Sequence, residues 1–221
     1  MRPILGYAAL FVGAVAVGGY FLNSGSQTPA GPTLGAANAQ SAAEVDTSDI
    51  VEMTKGEADA PVTIIEYASY TCPHCATFHN GPLKELEANY INTGKVQFIY
   101  REVYFDRFGL WASMVARCGG QDRFFGISDM VYDQQSEWTK GEPAEIADNL
   151  RRIGRAAGMN DDELDACLND GEKAQALVAW YQQNADEHNI RSTPSFVMNG
   201  TTYSNMSYAE FSALIDDEIG G

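Results

Sequence analysis

Cys72-Pro73-His74-Cys75 lies where one kind of sequence gives way to another, and this junction limits the fold more than any other stretch. Before it, Val62-Thr63-Ile64-Ile65-Glu66-Tyr67 is nearly all β-forming and apolar, the pattern of a strand covered on both faces. After it, Cys75, Phe78, His79, Leu83, Leu86 and Tyr90 recur at helical spacing, so one face of a helix packs on the sheet. Two cysteines on a helix's first turn can close a disulfide, and the free amides of that turn can stabilise a thiolate. The stretch therefore reads as a redox centre in an α/β fold, with Glu66 as an anomalous charge in a buried strand.

The rest of the chain extends this pattern. Gly81-Pro82 falls inside the first helix and should kink it. Lys95-Val96-Gln97-Phe98-Ile99-Tyr100 predicts a second central strand, and a helical block follows over about 105–189. In that block Ile146, Leu150, Ile153 and Ala157 form one apolar stripe, with Pro143 suited to its first turn and Gly158 to its end. Asn160 with Glu163 starts a helix bearing Leu164, Cys167 and Leu168, while Leu177 and Tyr181 seed another. Ser195-Phe196-Val197-Met198, Asn199-Gly200 and Thr201-Thr202-Tyr203 then form a hairpin signal. Ser207 and Glu210 cap a last helix, whose Phe211, Leu214, Ile215 and Ile219 are expected to face the sheet.

Ahead of this domain, residues 4–22 are apolar or Gly throughout, with Arg2 and the amino terminus as the positive charge in front. Nineteen helical residues reach roughly 28 Å, close to the hydrocarbon thickness of a bilayer. Residues 1–22 are therefore expected to be a signal peptide or membrane anchor, with the rest facing outward, and residues 23–47 a flexible Gly/Ser/Ala/Pro/Gln linker. The expected folded domain is 48–221. With 14 basic against 30 acidic residues and a formal charge of -16, the chain is a poor match to nucleic acid, whose backbone calls for clustered Lys and Arg.

Four cysteines are too few for a disulfide scaffold, so the thiols have specific jobs. Cys72 with Cys75 is the local pairing, which leaves Cys118 to find Cys167. A zinc site needs about four ligands, and His74, His79 and His188 supply no second clustered pair. Cys72, first on the helix, is the exposed thiol to be attacked, and Cys75, one turn in, the shielded one that resolves. His74 between them offers a donor or partial positive charge that lowers a thiolate's pKa.

Cys72-Pro73-His74-Cys75, the distant Thr193-Pro194 dipeptide and the helical block between them resemble the DsbA family of thioredoxin-fold thiol oxidases, over about Asp49 to the C-terminus. The resemblance implies a thioredoxin fold, a central mixed β-sheet flanked by helices, with an inserted all-helical subdomain. It also implies a cis Pro194 packed against the active-site sulfurs and a Thr193 backbone that pairs with substrate peptide. Glu66, six residues before Cys72, matches the family's buried acid beneath the site, which relays a proton to or from Cys75. Cys118 and Cys167 are expected to form a structural disulfide, against the alternative of two buried free thiols.

The expected activity is disulfide donation from Cys72 and Cys75 to reduced or unfolded exported proteins in the periplasm or outside the cell. No cofactor beyond the redox-active disulfide is called for. A DsbB-like, quinone-linked membrane partner would reoxidise the pair, and the protein would be a monomer. Two alternatives stand beside this reading: a reductase or isomerase of the same fold, and a metal-binding or scaffold module without catalysis.

Overall fold

The computed structural model describes residues 45–220. The expected anchor at 1–22 and nearly all of the 23–47 linker lie outside the described residues, among which no helix is long and apolar enough to cross a membrane.

The sheet is built around β2 (Val62–Ala68), the apolar run that precedes the cysteines. It pairs in parallel with β3 (Val96–Glu102), the second β-forming run, and antiparallel with β4 (Ser195–Met198). β5 (Thr201–Ser204) returns antiparallel to β4, and β1 (Met53–Lys55) adds an edge beside β3, giving the order β1-β3-β2-β4-β5. Asn199 and Gly200 turn the β4–β5 hairpin with φ of 44° and 88°. Both lie in the left-handed region, as a turn matched to strand twist requires.

The connection from β2 to β3 is helical. It comprises α1 (Pro73–Asn80), α2 (Pro82–Leu86) and a π-helical turn over Glu87–Ile91. The expected kink at Gly81-Pro82 is a full break, because Pro82 has no N–H to continue the ladder and opens a new helix at its first turn. The helical block between β3 and β4 consists of α3 (Arg107–Cys118), α4 (Gly120–Asp133), α5 (Gln135–Trp138), α6 (Pro143–Ala156), α7 (Asp161–Leu168) and α8 (Gly171–Glu187). α9 (Tyr208–Gly220) closes the chain.

Strand alternation divides the layers. One sheet face carries Ile64, Glu66, Phe98, Tyr100, Phe196 and Met198, aligned by register across β2, β3 and β4. α1, α4 and α9 cover it: Phe78 and Phe211 each lie 4.7 Å from the Phe196 ring, and Phe124 lies 5.7 Å from Tyr100. The other face carries Tyr67 and Val197, which pack with Ala185 at the end of α8 and Ile190 beyond it. The sheet is thus flanked by helices on both faces, with the insert emerging at the carboxyl end of β3.

In α9 Phe211 and Ile215 are fully buried, whereas Ile219 is 39% exposed. The stripe expected to run the length of this helix therefore stops one turn short, because the helix outruns the sheet beneath it.

Candidate active site

Leaving β2, the chain passes through Ser69-Tyr70-Thr71 and enters α1 with Cys72 as its N-cap residue and Pro73 in the first turn. Cys72 is extended, with φ -85° and ψ 119°, and no side chain caps this end of the helix. The orphan amides of the first turn are therefore free to face a sulfur. Cys75 lies one turn inside, fully buried in the main core. Both are free thiols, so the structure describes the reduced form.

Their electrostatics are opposite. Cys72 is partly exposed, and its pKa is lowered from 9.0 to about 5. Donation by the Cys75 thiol is the largest cause, with Thr193 and the main-chain amides of Cys75 and His74 adding, all against a desolvation penalty. Burial pushes the Cys75 thiol far above the ordinary range, helped by its hydrogen bond to Cys72 and by the charge on Glu66. His74 thus contributes a main-chain amide, while its side chain is exposed.

Thr193-Pro194 comes back to the site from the far end of the insert, and its peptide bond is cis. The Cys72 thiol donates to the Thr193 carbonyl at 3.5 Å. Pro194 leads directly into β4, so the sheet itself carries this loop to the sulfurs.

Beneath the thiols, Glu66 is fully buried and pairs with His79 of α1, Oε2 to Nε2, at 2.8 Å. His79 stacks on Tyr132 of α4 at 4.1 Å and meets the edge of Tyr100 at 5.5 Å. The Tyr100 and Tyr132 hydroxyls lie 2.6 Å apart.

Cys118 and Cys167 are joined in a disulfide that ties the end of α3 to α7. Among the described residues no three His, Cys, Asp or Glu side chains converge as a metal site would require.

Several contacts that shape the site have no motif in the sequence. Gln135 of α5 donates its side-chain amide to the Tyr70 and Cys72 carbonyls, at 2.8 and 3.0 Å. Thr71 donates to Asp106 at 2.8 Å, and the other oxygen of that carboxylate caps α3 through the Phe108 and Gly109 amides. His79 had one legible signal. It stands four residues after Cys75, hence on the same helix face as the buried thiol.

A mixed sheet with a dithiol at a helix N-cap and a cis-proline loop facing it defines a thioredoxin-fold protein carrying an all-helical insert between its third and fourth strands. A family model described as Thioredoxin matches residues 48–217, and the chain belongs to that family. Among curated proteins it is similar to a putative protein-disulfide oxidoreductase of Rickettsia bellii (strain RML369-C), 33% identical over 177 residues, which are 80% of this chain and 66% of that protein. A protein of the same description from Rickettsia felis (strain ATCC VR-1525 / URRWXCal2) is 32% identical, with 62% of its length covered. The chain thus spans slightly less than two thirds of these relatives. Among solved structures, α-DsbA1 of Wolbachia pipientis superposes with a TM-score of 0.71 at 25% identity, covering 80% of this chain and 94% of that one.

Proposed function

We propose that this protein is a thiol-disulfide oxidoreductase that introduces disulfides into exported proteins through Cys72 and Cys75. The observation that carries the reading is the opposed ionisation of the two thiols, one lowered to about 5 and one raised by burial. A thiolate that is stable in the reduced form is a good leaving group. The Cys72-Cys75 disulfide is therefore readily surrendered, and the equilibrium favours oxidation of a partner.

In the first step a substrate thiolate attacks Cys72 Sγ, the substrate-Cys72 bond forms, and the electron pair of the broken bond leaves on Cys75. Cys75 takes a proton there, a role assigned to Glu66, whose charge acts on the Cys75 thiol. A second substrate thiolate then attacks the substrate sulfur, forming the substrate disulfide and releasing Cys72 as the thiolate held by the α1 amides. Thr193, whose carbonyl accepts from the Cys72 thiol, would pair its main chain with an extended substrate peptide, with cis Pro194 following it into β4. Cys118-Cys167 serves as a structural cross-link.

The extracytoplasmic setting, the anchor at 1–22, the linker at 23–47 and a DsbB-like, quinone-linked reoxidant belong to the same proposal. They are supported by the apolar N-terminal run and by the resemblance. The reduction potential of Cys72/Cys75 against glutathione tests the reading. A value well above thioredoxin's, about -270 mV, is expected. A value near or below that figure would instead assign the chain to reduction.

A further inference from the structure

The Glu66-His79 pair contains more than a proton relay through one carboxylate requires. An isolated carboxylate without solvent strongly resists ionisation, and a fully buried one without a cation is rare. Glu66 is 0% and His79 1% exposed, and among the described residues His79 is the ion-pair partner of Glu66. Each ring or carboxyl group also retains one buried atom without a hydrogen-bond partner, Glu66 Oε1 and His79 Nδ1. The two groups therefore bond through one contact and hold spare protonation capacity on both sides of it.

The surrounding titratable groups are Cys75 on α1, Tyr100 on β3 and Tyr132 on α4, with Tyr70 and the Glu102-Arg117 pair farther out. Burial raises all three tyrosines, so none of them supplies a proton near neutral pH. Imidazole is the side chain in this shell whose ordinary range spans pH 5 to 8.

We propose that Glu66 and His79 act as one proton-holding unit and that His79 is the positioning residue that makes Glu66 able to exchange a proton with Cys75. This rests on the oxidoreductase reading and deepens it. In the oxidised protein the pair holds one proton beyond the one in the Oε2-Nε2 contact, on the side of Glu66 Oε1 or of His79 Nδ1, and is neutral overall. When Cys75 leaves the disulfide as a thiolate, that proton passes from Glu66 to Cys75 Sγ. The pair becomes a carboxylate hydrogen-bonded by neutral His79. When reduced Cys75 next attacks a mixed disulfide at Cys72, its S-H bond breaks and the proton returns to the pair. Over a full cycle the unit gains and loses one proton, and the electrons pass only between sulfurs.

The test uses the full chain, reduced and mixed with glutathione disulfide, with acid quenching and mass spectrometry to follow release of the Cys72-glutathione mixed disulfide by Cys75. His79→Gln keeps a donor to Glu66 and removes the imidazole. It is expected to slow this release by about tenfold or more and to flatten its dependence on pH between 5 and 8, within the range of a lost acid-base contribution. Alkylation of Cys72 should keep its wild-type pH profile, which a general loss of structure would move. Glu66→Gln should match His79→Gln, and the double variant should be no slower than either.

Wild-type rate and pH dependence in His79→Gln with a slowed Glu66→Gln would overturn the role of His79 and leave Glu66 as a lone relay. Wild-type behaviour in Glu66→Gln would instead overturn the relay itself. If either variant fails to fold, ring ¹⁵N shifts of His79 in the wild-type protein decide. They should change between the oxidised and reduced forms at pH 7, and identical shifts would sink the proposal.

Discussion

At Cys72 a few donors on one helix turn replace the positive charge that a thiolate would otherwise need. The consequence for stability has a definite sign. A thiol lowered from 9.0 to about 5 stabilises the reduced fold fully above pH 9 and loses that contribution as pH falls through about 5. The oxidised form has no such titration. The stability of reduced over oxidised protein, read as the difference between their urea midpoints, is therefore expected to shrink between pH 7 and pH 4. Iodoacetamide should label Cys72 with a half-maximum near pH 5 and leave native Cys75 unlabelled. A second prediction at this scale concerns the buried ion pair between Glu102 and Arg117, whose Nε and Nη2 reach the two carboxylate oxygens at 2.6 Å each. Ser113 also donates to Glu102, at 2.9 Å. Arg117→Met strands a buried carboxylate and should cost about 3–5 kcal/mol by denaturant unfolding. Adding Glu102→Gln should recover most of that loss.

Among the elements, the β4–β5 hairpin was the most legible, because Asn199-Gly200 is dictated by backbone sterics that need no tertiary partner. Gly200→Ala, at φ 88°, should lower stability by about 1–2 kcal/mol while leaving thiol exchange untouched. The stripe on α6 and the capping box on α7 were equally readable, since both rest on local spacing. β1 was not. Met53-Thr54-Lys55 has no alternation to speak of, and it is a strand because Met53 aligns with Tyr100 across a sheet that other residues built. The Cys118-Cys167 link closes a separation of 49 residues between α3 and α7. Removing it as Cys118→Ala/Cys167→Ala is expected to lower the unfolding free energy by up to about 4 kcal/mol.

For the whole molecule the formal charge of -16 sets a long-range field that no single element owns. Cationic cysteine peptides should be oxidised faster than anionic ones of equal length at low ionic strength, and the gap should narrow by 0.5 M salt, as about a nanometre of screening falls to a few ångströms. The candidate site divides along the same line between local and global. Cys72 and Cys75 could be read from spacing, and Glu66 from its place in an apolar strand. The pairing with His79, the stack on Tyr132 and the reach of Gln135 exist only once α1, α4 and α5 are packed together. That reach of Gln135 has a mechanical meaning. One amide group from the insert holds the carbonyls on both sides of Thr71, while Asp106 at the insert's root holds the Thr71 hydroxyl. The Cys72 loop is thus slung from the insert at two points, like a bridge deck from its cables. Any tilt of the insert would be passed directly to the backbone of Cys72. Trimming residues 105–189 to reach a minimal sheet would keep the cysteines and cut the suspension that aims them.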